Sequence, residues 1–87
     1  MNLVTSSGIT MSSREIAELV GKEHKHVLRD IRVMIDELEK DGPVLGHLEY
    51  KDSRQYTSKF DLNRELTETL ITGYSIKLRH KVIVRLH

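Results

Sequence analysis

The chain contains no cysteine. It has no disulfide framework and no thiolate chemistry, which suits a reducing cytoplasm. It has no apolar run approaching the roughly 20 residues that span a bilayer, and its first residues lack the basic, apolar and small-residue regions of a signal peptide. No membrane partner is expected. Charge of one sign is not in excess either: 14 Lys and Arg stand against 13 Asp and Glu, for a formal net charge of +1. So even a balance argues against a histone-like, purely electrostatic binder. There is no Gly-rich phosphate loop, no internal repeat and no low-complexity segment. A length of 87 residues predicts one domain over 1–87 with a single modest core.

What is present is a helix-turn-helix pattern between Met11 and Ile31. Ser12 followed by Glu15 fits a capping box, and Met11 with Ile16 fits a hydrophobic staple around that cap. Ile16, Ala17, Leu19 and Val20 give the first helix an apolar face. Gly21 closes it, and the small Ala17 lets a second helix cross closely. In the second helix Val27, Leu28, Ile31, Met34, Ile35 and Leu38 form an apolar stripe, and Asp41-Gly42-Pro43 stops it. Such a unit often presents its second helix to the DNA major groove. One detail departs from the compact form. With Ala17 and Gly21 in register, Val27 and Asp30 should form the second buried pair, yet the apolar residues are Val27, Leu28 and Ile31. Either the turn is about one residue longer than the shortest version or the helices cross at a different angle.

Charge is segregated along the chain. Lys22 to Arg32 holds four bases and two acids, and Asp36 to Asp41 holds four acids and one base. Tyr74 to His87 carries Lys77, Arg79, Lys81 and Arg85 with no acid. Leu3-Val4-Thr5 and Ile9-Thr10-Met11, flanking Ser6-Ser7-Gly8, predict a short amino-terminal hairpin. His47 to Tyr50 and Gln55 to Phe60, joined by Asp52-Ser53-Arg54, predict a second hairpin where a wing would follow a recognition helix. Asp61 or Asn63 then caps a helix carrying Leu62, Leu66, Leu70 and Ile71, which Gly73 ends. A last helix carries Ile76, Leu78, Val82, Ile83 and Leu86. No stop signal follows Leu86, so this helix is expected to be cut short or to continue toward a partner or a second domain. The fold expected is α+β: a winged helix-turn-helix of about four helices, a β-hairpin wing and a short amino-terminal hairpin.

The blocks Met11-Ser12-Ser13-Arg14-Glu15-Ile16-Ala17, Gly21-Lys22 and His26-Val27-Leu28-Arg29-Asp30-Ile31 resemble the Rha family of phage regulatory proteins. Asp61-Leu62-Asn63-Arg64-Glu65-Leu66-Thr67, Thr69-Leu70-Ile71-Thr72-Gly73-Tyr74-Ser75 and Leu78-Arg79 are similar to later, looser blocks that recur in several antirepressor-like phage proteins. The resemblance covers most of the chain from residue 11 onward. It implies a phage or prophage regulator of a bacterial host, cytoplasmic and nucleoid-associated, with an amino-terminal DNA-binding domain. In many members a separate carboxy-terminal domain follows.

Catalytic and metal readings find little support. His24 and His26 are two residues apart and therefore about 200° apart on a helix, so they do not chelate one ion together. His80 and His87 stand about two turns apart. No Ser, His and Asp are ordered as nucleophile, base and orienter, and Tyr56, without an Arg–His constellation, reads as a wing or core aromatic. No enzyme, metal or cofactor is expected. The partner expected is double-stranded DNA, read by His24, Lys25, His26 and Arg29 and held at its phosphates by Ser13, Arg14, Lys22, Arg32, Lys51 and Arg54. Arg14 opposes the dipole of the first helix unless a phosphate lies nearby; pairing with Glu18 at i+4 is the other reading. The competing function is an antirepressor or interaction module that binds another phage or host regulator through the last helix. Packing that helix through Leu78, Val82 and Leu86 leaves Ile76, Ile83 and Val84 for a symmetric homodimer, expected at least in the intact protein.

Overall fold

The computed structural model describes residues 9–87, with side chains from Met11 onward. In chain order these form β1 (Ile9–Ser12), α1 (Ser13–Val20), α2 (His24–Glu39), β2 (His47–Lys51), β3 (Thr57–Asn63), α3 (Arg64–Ile71) and α4 (Ile76–Leu86). This is an α+β arrangement of the winged helix-turn-helix kind. Polar caps set where three of the helices begin. Ser12 Oγ accepts from the Glu15 N–H at 3.2 Å, Asn63 Oδ1 from the Leu66 N–H at 2.9 Å, and Ser75 Oγ from the Leu78 N–H at 3.3 Å. Each satisfies a donor that the first helical turn leaves open. The Glu15 half of the expected capping box is used elsewhere: its carboxylate meets Arg85 of α4 at 2.8 Å.

The sheet is antiparallel with order β1-β3-β2, so β3 is central. Met11 stands opposite Leu62, and Glu49 opposite Phe60. Phe60 and Leu62 are two apart on β3, so both point to the same face, and both are buried. This pattern carries β3 on to Asn63, beyond the Phe60 boundary expected from sequence. Asp61 is therefore a strand residue, and Asn63 alone makes the cap. Gly46 approaches that cap closely: its carbonyl accepts from the Asn63 N–H at 2.8 Å, its φ is +93°, and a Cβ there would collide with the Asn63 side chain. The first arm of the expected amino-terminal hairpin, Leu3-Val4-Thr5, lies outside the described residues. Its second arm is β1, which pairs with β3.

α1, α2 and α3 pack on this sheet, and α4 covers them through α1 and α3. Ile16 and Val20 come from α1, Val27, Ile31 and Ile35 from α2, Leu66, Leu70 and Ile71 from α3, and Val82 from α4. Ile16, Val27, Ile31, Leu62 and Val82 are wholly shielded from solvent. Truncating any of these leucine or isoleucine side chains to alanine costs about 2–5 kcal/mol. α4 packs on α1 and α3. Leu78, Ile83 and Leu86 are half-buried against the core, so Ile83 is less free than the sequence pattern suggests, while Ile76 and Val84 remain exposed. Among the described residues no helix is long and apolar enough to cross a membrane.

Candidate nucleic-acid interface

The turn between α1 and α2 consists of Gly21, Lys22 and Glu23. Gly21 holds φ 70°, ψ 28°, and its N–H reaches the Ala17 carbonyl at 2.9 Å. No atom lies within 4 Å of where its Cβ would sit, so it is the left-handed backbone and not crowding that favours glycine. The turn has no extra residue, which rules out the longer-turn explanation. The position where an apolar partner of Val27 was expected is filled by Asp30. Its Oδ2 accepts from Lys22 Nζ at 2.9 Å and from the Tyr74 hydroxyl at 3.2 Å, and Lys22 Nζ also lies 4.5 Å from the centre of the Tyr74 ring. Asp30 thus takes the place of a packing contact with a hydrogen-bonded, half-buried cluster. Burial, then the Asp30 charge and hydrogen bond, push the Tyr74 hydroxyl far above its usual range, so it stays protonated and donates.

α2 divides into faces that sort the candidate residues. Val27, Ile31 and Ile35 point inward, and His24 precedes Val27 by three residues, on the same side of the helix. Its ring lies on the inner stripe: Nε2 is 2.8 Å from Ser13 Oγ, which also accepts from the Phe60 N–H at 3.0 Å. Burial first, and the Arg14 charge second, hold His24 below its ordinary pKa, so the ring is neutral at pH 7. The Phe60 N–H donates to Ser13 Oγ, and the direction of the hydrogen bond between Ser13 Oγ and Nε2 follows the tautomer of the His24 ring. The sequence places Ser13 at a phosphate, but its side chain is fully buried and its oxygen is committed to the core. That expectation is corrected. His24 is likewise tied into the fold and stands apart from the outward side chains.

Lys25, Arg29 and Arg32 recur at spacings of four and three and are all exposed, so they share one outward strip. Lys25 lies 3.5 Å from Glu23 and Arg29 lies 3.9 Å from Asp30. Exposed pairs of this length contribute about 0–1 kcal/mol and exchange readily for a stronger anion. His26 is turned about 100° from Lys25 and is half-exposed. Arg14 leaves its own helix: its guanidinium donates to the Ser58 carbonyl at 3.0 Å. That bridge between α1 and β3 replaces the expected pairing with Glu18.

The second hairpin has its tip at Asp52-Ser53-Arg54-Gln55. The Gln55 N–H donates to the Asp52 carbonyl at 2.9 Å, and Gln55 then adopts φ 71°. This is a type I turn followed by a left-handed residue. The Asp52 carboxylate accepts from the Arg54 and Tyr56 N–H groups at 2.8 and 3.1 Å and from the Arg54 guanidinium at 3.0 Å. The Arg54 side chain, followed by these backbone donors, holds the Asp52 carboxyl below its usual range. Arg54 also covers the exposed Tyr56 ring, 5.1 Å from its centre. Tyr56 is therefore a wing aromatic and not a core one. Lys51 is exposed at the base of the tip. Lys59 lies over Tyr50, 4.7 Å from the ring centre, and 3.3 Å from Asp61.

The structure therefore brings Lys25, Arg29 and Arg32 onto one strip, sets Lys51 and Arg54 on the hairpin, and places Lys22 and Arg14 between elements. The sequence reading missed Asp30 and Tyr74. The signal for Asp30 was its charge at an expected apolar position; nothing local signals Tyr74, which lies 44 residues away in the chain. Among the described residues no group of three or more His, Asp or Glu side chains is placed to hold a metal ion.

A family model described as phage regulatory protein Rha matches residues 11–87. The chain belongs to the Rha family of phage regulatory proteins. No curated protein and no solved structure matches the chain. The part of this Rha-family chain that the family model covers begins at Met11, beside the cap of α1, and includes the whole helix-turn-helix, the hairpin and α4.

Proposed function

We propose that this Rha-family chain is a phage or prophage transcriptional regulator that binds duplex DNA sequence-specifically, with α2 in the major groove. The observation that carries the reading is the outward strip Lys25, Arg29 and Arg32 on the helix that follows a short Gly-containing turn. Lys25, His26 and Arg29 read base edges near the amino-terminal half of α2. Arg32, Lys51 and Arg54 contact phosphates, and Arg14 and Lys22 do so where they can leave their present partners. His24 acts by fixing the start of α2. No catalytic step belongs to this reading. The protein works in the cytoplasm of a bacterial host, and residues 1–87 act as one DNA-binding unit.

Selection of bound sequences from a random duplex pool, followed by a salt titration on the selected site, tests the proposal. A recovered consensus with an affinity that falls steeply with salt is expected, because phosphate contacts release counterions. No enrichment, together with a flat salt dependence, would overturn it in favour of a module that binds another regulatory protein.

A further inference from the structure

Among the helix ends in this protein that carry charges of the wrong sign for their own dipoles, two lie beside exposed apolar side chains. The carboxy-terminal part of α2 holds Asp36, Glu37 and Glu39, and its last turn has no base. The amino-terminal turn of α4 has no acid and carries Lys77. Acids at a helix carboxy terminus and bases at an amino terminus both oppose the macrodipole. Lys40 compensates only Glu37, at 3.1 Å. On α4, Arg85 is taken by Glu15 and Arg79 donates to the Tyr74 carbonyl at 3.3 Å. Lys77 and Lys81 remain exposed, on the same side of the helix as Ile76 and Val84, which are 79% and 59% exposed. On α2, Val33 is 63% exposed and lies on the strip of Asp36 and Glu37.

We infer that these two patches bind each other between copies of this chain: the Ile76–Lys77–Lys81–Val84 face of α4 docks on the Val33–Asp36–Glu37 strip at the end of α2 of a second copy. Each patch presents apolar surface that its own copy leaves uncovered, and their charges and dipoles are complementary. Within one copy α4 rests on α1 and α3, and none of the ion pairs among the described residues joins it to α2. The contact therefore joins different surfaces of two copies. It is head-to-tail, and it leaves a free patch at each end for further copies. A symmetric pairing of two α4 helices would bring Lys77 and Lys81 of both copies together, and like charges oppose it. The self-association itself does not depend on DNA binding.

Sedimentation equilibrium without DNA, over a wide range of protein concentration at low salt, tests the inference independently of the DNA-binding reading. The wild-type mass should rise with concentration past that of two copies. The variants K77E/K81E and D36K/E37K, each shown folded by circular dichroism, should associate at least roughly tenfold more weakly alone. An equimolar mixture of the two variants should recover the wild-type behaviour, because each then offers patches that match the other's. A monomer mass throughout, a mass that stops at two copies, or a mixture that fails to recover association would each overturn it.

Discussion

Ser13 Oγ lies 2.8 Å from Nε2 of His24, and this contact ties the start of α1 to the start of α2. Because the same oxygen accepts from the Phe60 N–H, the amino terminus of α2 is fixed against the central strand. Burial and Arg14 lower the His24 pKa from its ordinary 6.5. In the window just below 6.5 the unfolded chain binds a proton that the folded chain refuses, so stability is fullest above 6.5 and is lost as pH falls. Urea unfolding between pH 7.5 and 5 should show this loss, and His24→Gln should remove its His24-dependent part. A pH slope unchanged by the substitution would show that His24 is as solvated in the folded chain as in the unfolded one.

Ser13→Ala tests the same junction from its buried side. Removing the hydroxyl leaves the Phe60 N–H without its acceptor and the His24 nitrogen without its hydrogen-bond partner, which costs about 1–3 kcal/mol. The unfolding midpoint should shift to lower urea, while the salt slope of DNA binding should not change. A reduced salt slope with unchanged stability would return Ser13 to the phosphate contacts.

Local signals carried the fold, and charge geometry hid part of the interface. The caps at Ser12 and Asn63, the glycine at position 21 and the Val27–Ile31–Ile35 stripe are all short-range patterns, and each stands in the structure where its chemistry puts it. The strip of Lys25, Arg29 and Arg32 follows from helical periodicity in the same way. His24 reads as a surface residue in the sequence because a polar residue at the end of an apolar stripe shows no local partner, and its partner, Ser13, lies across the turn. Asp30 and Tyr74 meet only in the folded chain, so no local pattern shows that Lys22 is already partly neutralised.

That neutralisation has a measurable consequence. Asp30 holds Lys22 at 2.9 Å and lies 3.9 Å from Arg29, in a site that is only partly exposed. Asp30→Asn should release both cations toward phosphates, raising affinity for all duplexes and steepening the salt slope by about one. Stability should fall by no more than about 1 kcal/mol, since the amide oxygen still accepts from the Tyr74 hydroxyl. An unchanged or shallower slope would place Lys22 away from the DNA.

The tip of the wing stores a small strain. Gln55 occupies the left-handed region at φ 71°, where a side chain costs about 1–2 kcal/mol and glycine far less. Gln55→Gly should therefore stabilise the protein by about 0.5–1 kcal/mol, the gain being offset by the greater freedom of glycine in the unfolded chain. Thermal unfolding measures it. A destabilised variant would show that the Gln55 side chain makes a compensating contact.

Arg29 carries the strongest claim on a base. It is exposed, stands on the outward strip, and among the described residues faces one carboxylate, at 3.9 Å. Its guanidinium presents two parallel donors that match guanine O6 and N7. Arg29→Ala should weaken binding to the selected site by about 1–3 kcal/mol and relax preference at one position, with stability nearly unchanged because the side chain packs against nothing in the core. Arg29→Lys should keep much of the non-specific affinity yet lose part of the discrimination, since a point charge lacks the bidentate fork. Lys51→Ala with Arg54→Ala gives the contrasting case: uniform weakening across sequences, with no change in preference, is expected of phosphate contacts. If Arg29→Ala lowers affinity equally for every duplex, Arg29 touches the backbone and base reading shifts to Lys25 and His26. Quantitative binding to a panel of single-base variants of the selected site separates the two outcomes.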